Sequence, residues 1–400
     1  MKGNYDKIDI YKLWLATKLS VSKRYDELLD KFESAENVYR ELDSFFKSDQ
    51  KIITEANYVK LKSESPQKQF ERLAKRLERA NIYTIFKDDP LYFENLKKCS
   101  DAPNVLFAIG VFPKPNAVKI GIVGTRRYTN EGADITDDYA YGLAKKSAVI
   151  VSGMALGVDR IAAGSAMRGS EADCATIAVL GSGADVPTPV ENELLYNTII
   201  KKGLVVSQFE PGTNATRYTF PMRNKVIAGI CEALIVTEAP AKSGALITAD
   251  AAIKYGRTVY CRVGGENDPT FAGTNKLVAD GLAKAVNSID DIIWDFPSFH
   301  KKHELEDDDF ELFINNEKAI NSCSIIENTV EQCNNSDKTD NMPLDEFQQL
   351  IYNALIQGAK SFDEILYETD LSIPILNYQL TVMEASGILK QTQGRLYKLR

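Results

Sequence analysis

With 400 residues, 44% of them hydrophobic, the chain has the length for about two or three domains with substantial cores. Its formal net charge of -8 excludes a molecule that is basic overall, so any surface that takes a polyanion has to be local. The six cysteines form no Cys-x-x-Cys pair and argue against a zinc module or a disulfide framework, and the two histidines, His300 and His303, lie beside an acidic tract away from the glycine-rich middle, which excludes a Ser-His-Asp or Cys-His arrangement there.

No apolar run approaches the roughly 20 residues that span a bilayer. The first six residues lack the apolar core of a signal peptide, so the expected compartment is the cytoplasm. From residue 5 to about 85 apolar residues recur at helical spacing. Ile8, Tyr11, Leu13, Trp14, Leu15 and Leu19 predict one amphipathic helix; Tyr25, Leu28, Leu29 and Phe32 predict a second; Phe70, Leu73, Leu77 and Ile82 predict a third. Charged residues fill the positions between them, as on the solvated face of a small helical domain over 1–85. The apolar run at 103–110 is expected to join the next domain as an edge strand.

That domain, 86–295, repeats one unit: an apolar run that empties into a turn of small or cationic residues. Residues 118–123 end in Gly124-Thr125-Arg126-Arg127, 148–151 in Ser152-Gly153, 176–180 in Gly181-Ser182-Gly183, and 233–237 lead through Glu238 to Ser243-Gly244. Helices are expected over 131–146, 157–167, 189–200, 220–230 and 245–255, the last capped by Gly256. Residues 204–207 and 257–263 read as further strands, and 273–283 as a closing turn with a short helix. Strand, turn and helix in alternation give an α/β fold, a Rossmann-like parallel sheet with helices on both faces. Such sheets bind their ligands at the carboxyl ends of the strands.

Beyond Trp294 the composition turns acidic and polar, and 296–342 is expected to be a disordered linker. Order resumes over 343–400. Phe347, Leu350, Ile351 and Leu355 mark one helix, Phe362, Ile365 and Leu366 a second, and 373–385 a third, before a hairpin around Gln393-Gly394. Three helices and a terminal hairpin outline a winged-helix domain.

Small residues at strand ends let backbone N–H groups approach an anion, and the helix that follows adds a favourable dipole. Five cations fall beside those turns: Arg126, Arg127, Arg223, Lys225 and Lys242. Any one alone reads as a solvated surface charge; together they suit a phosphate site. No Gly-Lys dipeptide occurs, so there is no P-loop, and Gly181-Ser182-Gly183 lacks the third glycine of a dinucleotide fingerprint. The polyphosphate that remains is a nucleic-acid backbone.

The set Gly124-Thr-Arg-Arg, Ser152-Gly-Met-Ala-Leu-Gly-Val-Asp159, Ala178-Val-Leu-Gly-Ser-Gly183, Phe220-Pro-Met-Arg-Asn224 and Ser243-Gly-Ala-Leu-Ile-Thr-Ala249 closely resembles the DNA-processing protein A family, DprA or Smf, in order and spacing across about 85–290. The resemblance implies an extended Rossmann-like fold that binds single-stranded DNA without a cofactor or a metal. It also implies a cytoplasmic helper of natural transformation that protects incoming strands, displaces single-strand-binding protein, loads RecA, and dimerises through the sheet domain, with the stretch near Asn275 to Val286 as the candidate surface. By position it assigns the binding site to Gly124, Thr125, Arg126, Arg127, Gly153, Phe220, Arg223, Asn224, Lys225, Lys242, Ser243 and Gly244. Phe220 is read either as a stacking surface for a base or as packing under its own helix. Asp159, of the wrong sign for a phosphate site, is expected to bond the backbone of its own loop.

A rival reading comes from related sheets, the nucleoside-monophosphate phosphoribohydrolases, which use Pro-Gly-Gly-x-Gly-Thr-x-x-Glu. Here the corresponding segment is Lys242-Ser-Gly-Ala-Leu-Ile-Thr-Ala-Asp250, without paired glycines or the terminal glutamate. Glu238 and Asp250 are the carboxylates available to such an enzyme, and no catalytic residue is expected. A nucleotide-sensing module signalling through the winged helix is a third reading.

Overall fold

The computed structural model describes residues 7–21, 23–48, 53–299, 346–356, 358–369, 371, 376, 379–380, 382–384, 388–392 and 396–399. Most of the expected linker, with His300, His303, Cys323 and Cys333, the Gln393-Gly394 turn and parts of the helix expected over 373–385 lie outside the described residues. The chain divides into two compact units, Met1–Phe299 and His300–Arg400.

The first unit opens with helices α1 (Ile10–Lys18), α2 (Lys23–Phe32), α3 (Ala35–Ser48), α4 (Glu55–Lys62) and α5 (Pro66–Arg79). Asp9 accepts from the backbone of Tyr11 and Lys12 at the head of α1, and Ser65 followed by Pro66 starts α5. Helices α3 and α4 go beyond the three expected from periodicity. Val38, Leu42 and Phe45 repeat along α3 at helical spacing and are buried, whereas α4 buries only Leu61. Ile82 is not helical: Asn81, at a left-handed φ of 52°, turns the chain just before it. Buried Trp14 donates from Nε1 to the carbonyls of Leu61 and Glu64 at 3.1 and 3.0 Å, tying α1 to the turn between α4 and α5.

The sheet then builds in order: β1 (Tyr83–Phe86), α6 (Glu94–Lys97), β2 (Val105–Gly110), β3 (Lys119–Val123), α7 (Asn130–Lys145), β4 (Val149–Ser152), α8 (Val158–Gly169), β5 (Thr176–Val179), α9 (Glu193–Lys202), β6 (Gly203–Ser207), α10 (Thr219–Ile230), β7 (Ala233–Val236), α11 (Ala245–Lys254), β8 (Thr258–Arg262), α12 (Ala272–Ala279), β9 (Lys284–Val286) and α13 (Asp290–Ile293). Its spatial order is β1-β2-β6-β5-β4-β3-β7-β8-β9. Strands β3 to β9 run parallel and reach the far edge at β9, while β2 is antiparallel to both β1 and β6. The run at 103–110 therefore does not form the edge. Strand β1, unannounced by periodicity because all four of its residues are buried, takes that place.

Consecutive residues of the parallel strands serve opposite faces, as strands covered on both sides must. In β7, Ala233 and Ile235 pack with Tyr139, Leu143 and Ala162 of α7 and α8, while Leu234 and Val236 pack with Val226, Ile227 and Ala249 of α10 and α11. The opening helices share a core with the sheet: Trp14, Leu42, Leu73 and Leu77 join Phe107, Ile109, Leu180 and Val205. Strands β4, β5 and β6 lie to one side of β3 and strands β7 to β9 to the other, so the order reverses between β3 and β7. That reversal is the crevice where α/β sheets of this kind take ligands.

The second unit contains α14 (Glu346–Leu355), β10 (Lys360–Ser361), α15 (Phe362–Thr369), β11 (Leu389–Thr392) and β12 (Leu396–Leu399). Helical residues 379–380 and 382–384 fall in the third helix expected there. Strands β11 and β12 pair antiparallel from Leu389 opposite Leu399 to Thr392 opposite Leu396, and β10 adds to β12. Ile351, Leu355, Ile365, Leu376, Leu380, Met383 and Leu389 make its own core. Two of the three expected helices, residues of the third and the two strands of the expected hairpin are thus present among the described residues.

Candidate functional site

The turns after β3, β4, β5 and β7 meet along the carboxyl rim of the sheet. After β3, Thr125 donates its N–H to the carbonyl of Glu238 (2.8 Å) and takes the N–H of Arg127 on its hydroxyl (3.1 Å), which fixes the turn and leaves Arg126 and Arg127 exposed. The Arg126 guanidinium lies 5.3 Å from the centre of the Phe220 ring. Phe220, in the first turn of α10, is half-buried, and its edge packs against Gly181 at the end of β5. The ring packs, as one of the two expectations had it, and the Arg126 guanidinium lies over it from the rim.

Arg223, one turn further along α10, is only 4% exposed. It does not project into solvent as a phosphate ligand was expected to. Its Nη1 donates to the carbonyl of Val179 at 2.9 Å and to that of Gly153, bridging the ends of β5 and β4, and its guanidinium lies 5.7 Å from the Phe220 ring. Gly153 makes this possible, because a Cβ there would stand 1.7 Å from Nη1. Asp159, also buried, accepts from the N–H of Ala155 (3.2 Å) and faces the arginine, the backbone role expected of it. Burial pushes the Asp159 carboxyl above its usual range, opposed by the Arg223 charge; burial likewise pulls Arg223 down, opposed by Asp159.

Asn224 donates to the carbonyl of Gly244 (3.3 Å) and ties α10 to the turn after β7. Lys225 is exposed but paired with Asp101 at 3.0 Å, a carboxylate that also takes the hydroxyl of Tyr255. Ser243 accepts the N–H of Ala245 (3.3 Å), while Lys242 and Gly244 are exposed beside it. Sequence reasoning missed Asp101, and it missed Arg217 and Tyr218, an exposed pair whose guanidinium lies 4.7 Å over the tyrosine ring just ahead of α10. An arginine-tyrosine step immediately before the Phe-Pro turn was the available signal.

Glu238, weighed above as a possible acid, is fully buried. It accepts from the N–H and the hydroxyl of Thr129, both at 3.0 Å, and burial raises its pKa. Asp250 is exposed on α11. Among the described residues no helix is long and apolar enough to cross a membrane.

The sequence pattern of the DNA recombination-mediator protein A family matches residues 83–297, the whole sheet with its rim. The chain belongs to that family. DNA processing protein DprA of Streptococcus pneumoniae is 35% identical over 224 residues, 56% of this chain and 77% of that protein. Its counterpart in Bacillus subtilis is 37% identical over 203 residues, 50% of this chain and 67% of that protein. The crystal structure of the S. pneumoniae protein superposes with a TM-score of 0.61 at 28% identity, over 72% of this chain and 98% of that one. A DNA processing protein A from Helicobacter pylori, described with its single-stranded DNA binding mode, is 30% identical over 50% of this chain and 91% of its own, with a TM-score of 0.47.

Proposed function

We propose that this chain binds single-stranded DNA along the carboxyl rim of its sheet. In natural transformation it protects incoming strands and passes them to RecA in place of single-strand-binding protein. The observation that carries the reading is the convergence of Arg126 and Arg223 on the Phe220 ring, in a chain of the recombination-mediator family.

The roles divide by exposure. Arg126, Arg127 and Lys242 are free at the rim to meet phosphate oxygens, with the backbone around Gly124, Thr125, Ser243 and Gly244 beside them. Phe220 offers a face on which an unpaired base stacks. Arg223, with Gly153 and Asn224, holds the loops in place from beneath. Lys225 reaches phosphate by exchanging Asp101 for it. The rim binds and does not cleave. A second copy of the chain pairs along α12 and β9, where Leu282 is exposed.

The test is fluorescence anisotropy of a labelled single-stranded oligonucleotide over a series of salt concentrations. Binding at about micromolar or tighter, weakening steeply with salt, is expected for the intact chain. Arg126→Ala is expected to lose about 1.5–3 kcal/mol of affinity and to reduce the salt slope by roughly 0.7 per phosphate contact removed. Equal affinity for duplex and single strand, or release of free base from nucleoside monophosphates, rejects the reading.

A further inference from the structure

In a sheet of this topology the order reverses between β3 and β7, and the helix that follows β3 offers its N-terminus to a nucleotide phosphate. Helix α7 is that helix, 16 residues long and capped by Thr129. The place is already taken by a carboxyl group from the chain itself. Glu238, reaching across from the end of β7, sets its carboxylate against the first turn of α7, with Oε2 bonded to the Thr129 N–H and hydroxyl at 3.0 Å. The Thr129 hydroxyl in turn takes the N–H of Gly132 at 3.0 Å, so the charge is relayed one step further into the helix. Gly132 makes the room: a Cβ there would stand 1.7 Å from Glu238 Oε2. Glu238 is 0% exposed, although a lone buried carboxylate is costly, and it has no cation bonded to it among the described residues. The N–H and the hydroxyl of Thr129, the residue that caps α7, are what hold it.

We infer that Glu238 is a built-in substitute for a ligand phosphate, which closes the switch-point crevice to mononucleotides. Glu238 is on this account a specificity-determining residue. The inference does not depend on single-strand binding and stands or falls separately from it.

The experiment compares the full chain with Glu238→Ala and Glu238→Gln in chloride, formate and inorganic phosphate at equal ionic strength. Melting temperature and the amide signals of Thr129 and Gly132 are followed, and the wild type is also titrated with adenosine monophosphate. The wild type is expected to show no saturable shift at either amide with any of these anions. Glu238→Ala is expected to melt lower than wild type in chloride and to recover saturably in formate or phosphate, beyond the general salt effect seen with the wild type. Glu238→Gln keeps the volume without the charge and is expected to melt lower with no recovery. A saturable response of the wild-type amides to adenosine monophosphate overturns the inference. So does an alanine variant that behaves alike in all three salts, or folds in none of them, because an open anion site accepts formate.

Discussion

Arg223 and Asp159 show how much a single buried charge can determine. With Nη1 on two carbonyls and Asp159 opposite, the guanidinium joins the ends of β4 and β5. Arg223→Ala leaves Asp159 buried without its counter-charge, and a cost of about 3–5 kcal/mol in urea unfolding is expected. Arg126→Ala, at an exposed position, is expected to leave the unfolding midpoint unchanged. Gly153→Ala forces a methyl group against the guanidinium and is expected to cost about 1–3 kcal/mol and to weaken oligonucleotide binding with it. The two arginines were equally visible in the sequence, Arg126 in a turn of small residues and Arg223 at a helix start. What separates them is Val179, 44 residues before Arg223 in the chain, whose carbonyl no local pattern could have assigned.

At the scale of elements, α5 is fastened to the rim loops by charge. Arg72 pairs with Glu64 and Glu210, both at 2.8 Å, and Arg76 with Asp185 at 2.9 Å. The Arg72 hydrogen bond holds Glu64 below the usual carboxylate range. A depressed carboxylate stabilises the fold above its unfolded pKa, here 4.5, and that contribution is lost as pH falls through the lower folded value. Arg72→Ala is therefore expected to lower stability at neutral pH and to flatten its loss below about pH 4.5. Because Arg72 is nearly half exposed, the change stays within about 1 kcal/mol, read from urea midpoints at pH 7 and pH 4. The strand-turn-helix alternation made the parallel strands and their helices legible, since each buried run ends in a turn of distinctive composition. Strand β1 and helix α4 were not, because a four-residue buried run and a helix with one buried residue carry no periodicity. The interior position of β2 was illegible for the same reason: only β1, pairing outside it, displaces it from the edge.

At the scale of the molecule, the opening helices and the sheet share one core, while the second unit has a core of its own. Removing 1–79 uncovers Phe107, Ile109, Leu180 and Val205, and the remainder is expected to bind a hydrophobic dye and lose its cooperative melt. Ending the chain at Phe299 is expected to preserve the melting transition of the first unit, measured by calorimetry. The Arg223 bridge has a kinetic consequence for the whole. Loops pinned from below by two strand ends need no rearrangement when a polynucleotide arrives, so their ordering cost is met while the chain folds and not at association. Capture is then expected as a single fast phase in stopped flow, linear in oligonucleotide concentration and quicker at low salt; a slow phase independent of concentration would show that the loops have to rearrange first.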